Sequence, residues 1–262
     1  LRIKDTEIKE LQERLLGDDE KEPIDLTKKV LVRIFNNHSF EQGGRFYRGW
    51  WQNVPSEFRK FITIDSKKTV EYDFSQLNPN ILYSAHNLEL GSEDAYDRVL
   101  EGKNRDIVKE AFNAMLQSST QLIHKPEGIN LDSIEMDWKE LRQAILDSHK
   151  PIQHLFFNGL GNRLQFEDSC IAESVMLHYT NLDSPALPVH DSFVMHYAEG
   201  SYGKLEEVMR RAYYDRFKSD IKVSKEIVVE KFSDVQTDRD GFLSIEVRDI
   251  LNAEKEFYQW RD

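Results

Sequence analysis

The sequence predicts an α+β protein. Two β-patterned hairpins, at 61–74 and 187–197, are separated and flanked by blocks with helical spacing. The chain has 262 residues, enough for one large domain with its own core.

Taken in order, residues 1–16 place Ile8, Leu11 and Leu15 at i, i+3 and i+7, the spacing of a charged helix. Gly17 and the polar run Asp18 to Pro23 end it and predict a linker. A short helix is expected around Leu26–Phe35. For Gly43 to Trp51, where aromatics alternate with arginines and glycines, no regular element is predicted. Residues 61–64 and 69–74 predict strands joined through Asp65-Ser66-Lys67-Lys68. An apolar segment, Ile81–Ala85, follows Pro79, and a helix is expected to open at Ser92 with Glu93 and Asp94 in its first turn. Asn104 is read as the N-cap of a helix through Met115, and further helices are expected over 132–148 and 162–179. Leu187–Val189 and Phe193–Tyr197 then flank His190-Asp191-Ser192, a second hairpin with an acid at its tip. A helix with Leu205, Met209, Tyr213 and Phe217 comes next, and the C-terminal forty residues predict two strands and a final helix. The expected organisation is 1–22 as helix and linker, 23–60 as a basic and aromatic segment, 61–230 as the main domain with a helical insertion near 92–150, and 231–262 as an extension.

There are 35 Lys and Arg against 47 Asp and Glu, a formal charge of −12, so the whole molecule is not a polycation built to coat DNA or anionic lipid. Contact with nucleic acid therefore requires a local basic patch or bound metal. The single cysteine, Cys170, excludes an internal disulfide and a Cys-rich zinc cluster, and points to a reducing, cytoplasmic setting. No apolar run approaches the roughly 20 residues of a membrane-spanning helix, and no signal-peptide core is present, so no membrane partner is expected. A start at Leu1 suggests a processed or excised chain and leaves open whether further domains lie upstream. Gln236 to Gly241 resembles half of an EF-hand loop, but Val247 stands where a bidentate Glu is required, so an Asp-Gly turn is expected there.

Phosphoryl transfer of the polymerase type needs two divalent cations about 3.5–4 Å apart, and hard cations want carboxylates. Asp73 and Asp191 each end or interrupt a strongly β-patterned run, so one sheet would bring them together. The backbone carbonyl of Phe74, waters and substrate phosphates would complete the shells. An Asp near a strand end is also an ordinary turn residue, and neither position is persuasive alone.

Val70-Glu71-Tyr72-Asp73-Phe74-Ser75-Gln76-Leu77-Asn78-Pro79-Asn80-Ile81-Leu82 resembles motif A of family A DNA polymerases. Leu187-Pro188-Val189-His190-Asp191-Ser192-Phe193 resembles motif C, the Val-His-Asp hairpin shared with the single-subunit phage-type RNA polymerases. Between them Arg105-Asp106-Ile107-Val108-Lys109 resembles, less specifically, the start of motif B; its i, i+4 spacing puts both cations on one helical face. The resemblance runs from about Phe61 to Phe217. It implies a right-hand palm with an antiparallel sheet, a small helical fingers region and a reduced or absent thumb. It further implies a template-directed DNA polymerase using two Mg²⁺ ions, or Mn²⁺, with a template and primer and nucleoside triphosphates as partners. Asp73 and Asp191 would be the metal ligands, Arg105 and Lys109 the triphosphate clamp, and His190 a hairpin residue approaching the primer end.

The chain departs from that pattern at four places. Asn78 stands where the resemblance would put a Glu that excludes a ribose 2′-hydroxyl, and Ser192 follows Asp191 as in the RNA polymerases, so ribonucleotides or relaxed selection stay open. Motif B lacks its aromatic-Gly pair, leaving Phe112 and Asn113 as candidates for stacking on the nascent pair. Only 72 residues precede Asp73, too few for a thumb and an exonuclease, which makes an accessory protein or an upstream domain an expected partner. Arg45, Tyr47, Arg48 and Arg59 are the candidate nucleic-acid contacts, because arginine pairs with phosphate while aromatic faces stack on bases. Gln165 and Glu173 are candidate template or primer contacts. The alternatives are an RNA polymerase or primase, a palm that binds nucleic acid without turnover, and an acidic scaffold whose two Asp residues are turn residues.

Overall fold

The structure is a computed structural model that describes residues 1–3, 5–16, 23–197 and 204–226. Its centre is a six-stranded antiparallel sheet of β1 (Arg2–Ile3), β4 (Ile62–Ile64), β5 (Lys67–Phe74), β7 (Ser192–His196) and β6 (Leu187–Val189), in that order, with β8 (Val223–Glu226) also paired to β5. A separate hairpin is formed by β2 (Val32–Phe35) and β3 (Gly43–Tyr47).

The two-residue period of β5 sorts its side chains onto two faces. Val70, Tyr72 and Phe74 join the larger core together with Phe193 and Met195 of β7. That core is closed by α3 (Leu77–Ala85), α4 (Arg105–Gln117), α5 (Trp138–Ser148), α6 (Gly161–Thr180) and α7 (Lys204–Phe217). The opposite face, through Ile62, Ile64, Leu187, Val189 and Val194, packs on Leu11 of α1 (Asp5–Leu16), on Trp50 and Trp51, and on Phe58 of α2 (Ser56–Arg59). Trp50 and Trp51 are thus core residues, and the Trp51 indole N–H donates to the Pro188 carbonyl at 3.0 Å.

Both expected hairpins form. The first turns at Asp65 and Ser66 alone, both with positive φ (51° and 64°), which frees Lys67 and Lys68 to extend β5. The segment Ile81–Ala85 lies within α3. The helix expected over 132–148 starts only at Trp138, where Asp137 and Glu140 form a reciprocal capping box, each backbone N–H to the other's carboxylate at 2.8 Å. Asn104 precedes α4 with φ 54°, and its side chain bonds Ser133 instead of the helix amides.

Two expected helices are absent. Around Leu26–Phe35 the chain forms β2, because Val32, Ile34 and Phe35 fit a pleated surface and pair with β3. No helix opens at Ser92: the Asp94 carboxylate accepts the amides of Tyr96 and Asp97, at 2.8 and 3.1 Å, and supports only a 3₁₀ turn at Asp97–Val99. Of the expected C-terminal elements, β8 is observed. The linker at 17–22, the turn near 238–241 and the final helix lie outside the described residues.

One buried imidazole ties the core to the loop before α4. His149 has no exposed surface, donates from Nε2 to the Ala95 carbonyl (2.9 Å) and is bonded at Nδ1 to the Tyr83 hydroxyl (3.1 Å), which donates to it when the ring is neutral. Burial lowers its pKa to about 4, against about 6.5 when unfolded. The stability this contributes is complete above about pH 6.5 and is lost as pH falls through about 4. Thermal melting should therefore show an acid-side loss on the order of 3 kcal/mol from this residue. His149→Gln should lack that component; an unchanged pH profile in the variant would contradict it.

Candidate active site

The first constraint is register. Asp73 of β5 is paired with Ser192 of β7, and the Phe74 amide donates to the Asp191 carbonyl at 3.2 Å. His190 and Asp191 form the two-residue turn between β6 and β7, so the acids of the two hairpins are brought to the same end of neighbouring strands. Both line a cavity of about 260 Å³. Phe74, Asn78, Arg105, Lys109, Asn113 and Arg45, six further residues singled out in the sequence, line it as well.

The residues after Asp73 have identifiable local tasks. Gln76 takes a left-handed conformation (φ 54°) at the strand-to-helix corner, and its side-chain oxygen accepts the Ala95 amide. Asn80 donates to the carbonyls of Ser75 and Gln76, at 3.0 and 2.9 Å, closing the corner from the first turn of α3. Asn78 donates to the Asn113 side chain at 2.9 Å, which joins α3 to α4 across the cavity.

Arg105 does not hang free. Its Nε and Nη2 donate to one Asp94 oxygen at 3.1 and 2.9 Å, and its guanidinium lies 5.1 Å from the centre of the Tyr96 ring. Burial alone would raise the Asp94 pKa, but the bonds from Arg105 and from the Tyr96 and Asp97 amides outweigh it and hold the carboxyl below its ordinary value. The same pairing raises the pKa of Arg105. Burial pushes the Tyr96 hydroxyl up, with Asp94 and Asp191 adding to the shift and Arg105 opposing it. Lys109, one turn along α4, is exposed.

The structure separates other candidates from this cavity. Phe112 cannot stack on a base: it is fully buried on the inner face of α4, edge-on to Tyr96, His149 and Phe156. Arg59 is held by buried Glu71 at 2.8 Å, which also accepts the Ser192 hydroxyl, so Arg59 is tied to the sheet and does not line the cavity. Ser192 is therefore a buried structural donor, outside the cavity lining. Glu173 is ion-paired with Arg33 at 2.9 Å and anchors the β2–β3 hairpin. His190 is exposed with φ 56°, and Tyr47 and Gln165 are partly exposed; none of the three lines the cavity. Arg48 is exposed just past β3 with φ 79°.

Several lining residues were missed by sequence reasoning. Asp94 and Tyr96 lie in the segment read as a helix, and Lys222 and Ser224 arrive with β8. No motif marks them; the only local signal is an Asp two and three residues before the amides it accepts, a pattern that also opens a helix. Asp168 of α6 was also missed. Only 3% of its side chain is exposed, and it accepts from Arg45 Nε at 2.7 Å. Burial pushes its pKa up to about 7, with Arg45 opposing and Asp191 adding.

Among the described residues no cluster of three or more His, Cys, Asp or Glu side chains is positioned to hold a metal. The donor set of the cavity is instead the carboxylate pair Asp73 and Asp191, of the hard-oxygen type that Mg²⁺ or Mn²⁺ accepts when substrate and water supply the remaining ligands. A larger, more apolar cavity of about 1030 Å³, bordered by Tyr179, Leu182, His196 and Val208, contains none of the candidate site residues.

No protein family and no curated protein matches the chain. Among solved structures, the POL domain of Pol1 from M. smegmatis in complex with DNA primer-template and dNTP is similar at a TM-score of 0.46 and 14% identity, over 84% of this chain and 50% of that one. The chain thus spans half the length of that structure, and a likeness so distant adds nothing to the geometric argument.

Arg45→Ala would leave a buried carboxylate at Asp168 without its cation, a change that costs about 3–5 kcal/mol. The raised folded pKa of Asp168 means that its favourable contribution is present below the unfolded value of about 3.9 and is lost as pH rises through about 7. Urea denaturation should accordingly show the Arg45→Ala penalty largest above pH 7 and smaller at pH 4. Equal penalties at both pH values would contradict the assignment.

Proposed function

We propose that the chain is a nucleotidyltransferase of the family A polymerase type, a DNA polymerase that extends a primer on a template from nucleoside triphosphates. The single observation that carries this reading is the shared cavity: two acids from remote hairpins and two cations of a separate helix line the same space of about 260 Å³. A scaffold built on two turn residues would have no need to bring Asp73, Asp191, Arg105 and Lys109 to one place.

In this reading Asp73 and Asp191 would hold two Mg²⁺ or Mn²⁺ ions, with the Phe74 carbonyl as a further donor. When bound, such ions lower the pKa of an attacking 3′-hydroxyl and neutralise the leaving pyrophosphate. Arg105 and Lys109 receive the triphosphate from one face of α4. Because Asp94 occupies only two of the five guanidinium N–H donors, it orients Arg105 and leaves three donors for phosphate oxygens. Tyr47 and Arg48 would contact the nucleic-acid strands from the end of β3, and Arg45, held by Asp168, would do so from the cavity wall. Asn78 and Asn113 line the cavity, and Asn78 is one methylene shorter than a Glu at that position, which supports a second reading as an RNA polymerase or primase, since the shorter side chain leaves more room for a ribose 2′-hydroxyl.

Asp73→Asn and Asp191→Asn should each lower primer extension by at least a factor of about 10³, in keeping with the loss of charge stabilisation at a phosphoryl-transfer centre. Circular dichroism and melting should remain near wild type. Wild-type extension in either variant would overturn the assigned chemistry, and extension with competing dNTP and NTP decides the sugar.

A further inference from the structure

Two residues of one short loop orient Arg105, and the residue between them is gripped from two sides. Asp94 takes the Arg105 Nε and Nη2 groups at 3.1 and 2.9 Å, and the Tyr96 ring centre lies 5.1 Å from the guanidinium. Ala95, between them, is fully buried. Its amide donates to the Gln76 side-chain oxygen, and its carbonyl accepts from His149 Nε2 at 2.9 Å. The two bonds fall on different peptide planes, 94–95 and 95–96. Because each plane is rigid, holding both restrains the only two soft dihedrals of Ala95, and with them the directions in which Asp94 and Tyr96 leave the chain.

Each grip is itself anchored. Gln76 stands in the left-handed conformation at the corner after β5, three residues beyond Asp73, and its backbone carbonyl accepts both the amide and the side chain of Asn80, at 3.1 and 2.9 Å. His149 caps the end of α5 and is bonded to the Tyr83 hydroxyl of α3. The Tyr96 ring is packed edge-on to Phe112 of α4 at 5.5 Å. The strand end that carries Asp73 and the helices α3, α4 and α5 therefore all converge on the three residues that set Arg105. The accuracy this provides matters for phosphate: a guanidinium fork recognises an oxyanion only at the right angle, and a misplacement of about 1 Å can cost on the order of a hundredfold.

We propose that Gln76 and His149 are positioning residues for Arg105: acting through Ala95, they aim its guanidinium into the cavity that Asp73 and Asp191 line. The inference rests on the reading of Arg105 as a triphosphate ligand, and it gives Gln76 and His149 tasks that neither has in that reading. Because the corner that ends the strand of Asp73 also holds Ala95, the acid and the cation are set by one piece of backbone, and a ligand that bridges them meets a fixed spacing.

Carbon-13 NMR titration of the Asp94 carboxyl in the full chain reads the latch with no ligand present. In the wild type the bonds from Arg105 and from the Tyr96 and Asp97 amides hold this carboxyl below its ordinary value. Gln76→Met removes the acceptor while keeping the side-chain length, and should move the Asp94 midpoint up toward about 3.9. His149→Leu should do the same, whereas His149→Gln, whose amide still donates to the Ala95 carbonyl, should stay near wild type; if His149→Leu does not fold, Gln76→Met at the cavity corner decides alone. Calorimetric titration with inorganic tripolyphosphate, without divalent cation, should show binding about tenfold weaker in Gln76→Met. In an Arg105→Ala background that further loss should vanish, since a residue acting through Arg105 then has nothing to act on. An unchanged Asp94 midpoint in Gln76→Met overturns the proposal, as does a tenfold loss that persists without Arg105, which would mean that Gln76 touches phosphate itself. A shifted midpoint in a chain whose wild type binds no tripolyphosphate would support the latch and refute the triphosphate reading, so the two failures are distinct.

Discussion

The antiparallel register of β5 against β7 is the constraint on which the site depends. With Asp73 opposite Ser192 and the Phe74 amide on the Asp191 carbonyl, the two acids share one end of the sheet. A one-residue slip would send Asp73 to the opposite face and Tyr72 out of the core. Register is therefore protected by the same alternation that buries Val70, Tyr72, Phe74, Phe193 and Met195. The Glu71 carboxylate reinforces it by accepting from Ser192 across the strands while holding Arg59.

Around that pair the cavity is assembled from ion pairs and amide contacts, with few apolar groups. Arg105 is set by Asp94, Arg45 by Asp168, and Asn78 by Asn113. Each arrangement removes rotamer freedom before any ligand arrives, and such preorganisation is how a polar site gains selectivity for a polyanion. The buried end of this network is costly to break, because removing one partner strands a charge in a poorly solvated place. His149 extends the support inward: it ties Tyr83 of α3 to the Ala95 carbonyl, next to the two residues that orient Arg105.

What could be read from the sequence was local. The hairpins were legible because period-two patterning and turn residues are encoded within a few positions, and Asp73 and Asp191 stood out because they end such runs. Arg105 and Lys109 were legible as an i, i+4 pair. The β2–β3 hairpin was misread because its arginines and glycines look irregular until α6 supplies Glu173, Asp168 and a close packing surface for Gly44. Phe112 was misassigned because helical spacing alone does not say which face is inward; Tyr96, His149 and Phe156 decide that. Asp94, Asp168 and Lys222 were invisible for a similar reason, since their partners lie on other elements.

The measurement that bears most directly on the central assignment is anomalous diffraction from crystals of the full chain grown with Mn²⁺ and a non-hydrolysable nucleoside triphosphate. Two manganese peaks about 3.5–4 Å apart, shared by the carboxylates of Asp73 and Asp191, with the triphosphate against Arg105 and Lys109, are the expected result. Absence of manganese between those carboxylates, or a triphosphate bound elsewhere on the molecule, would contradict it.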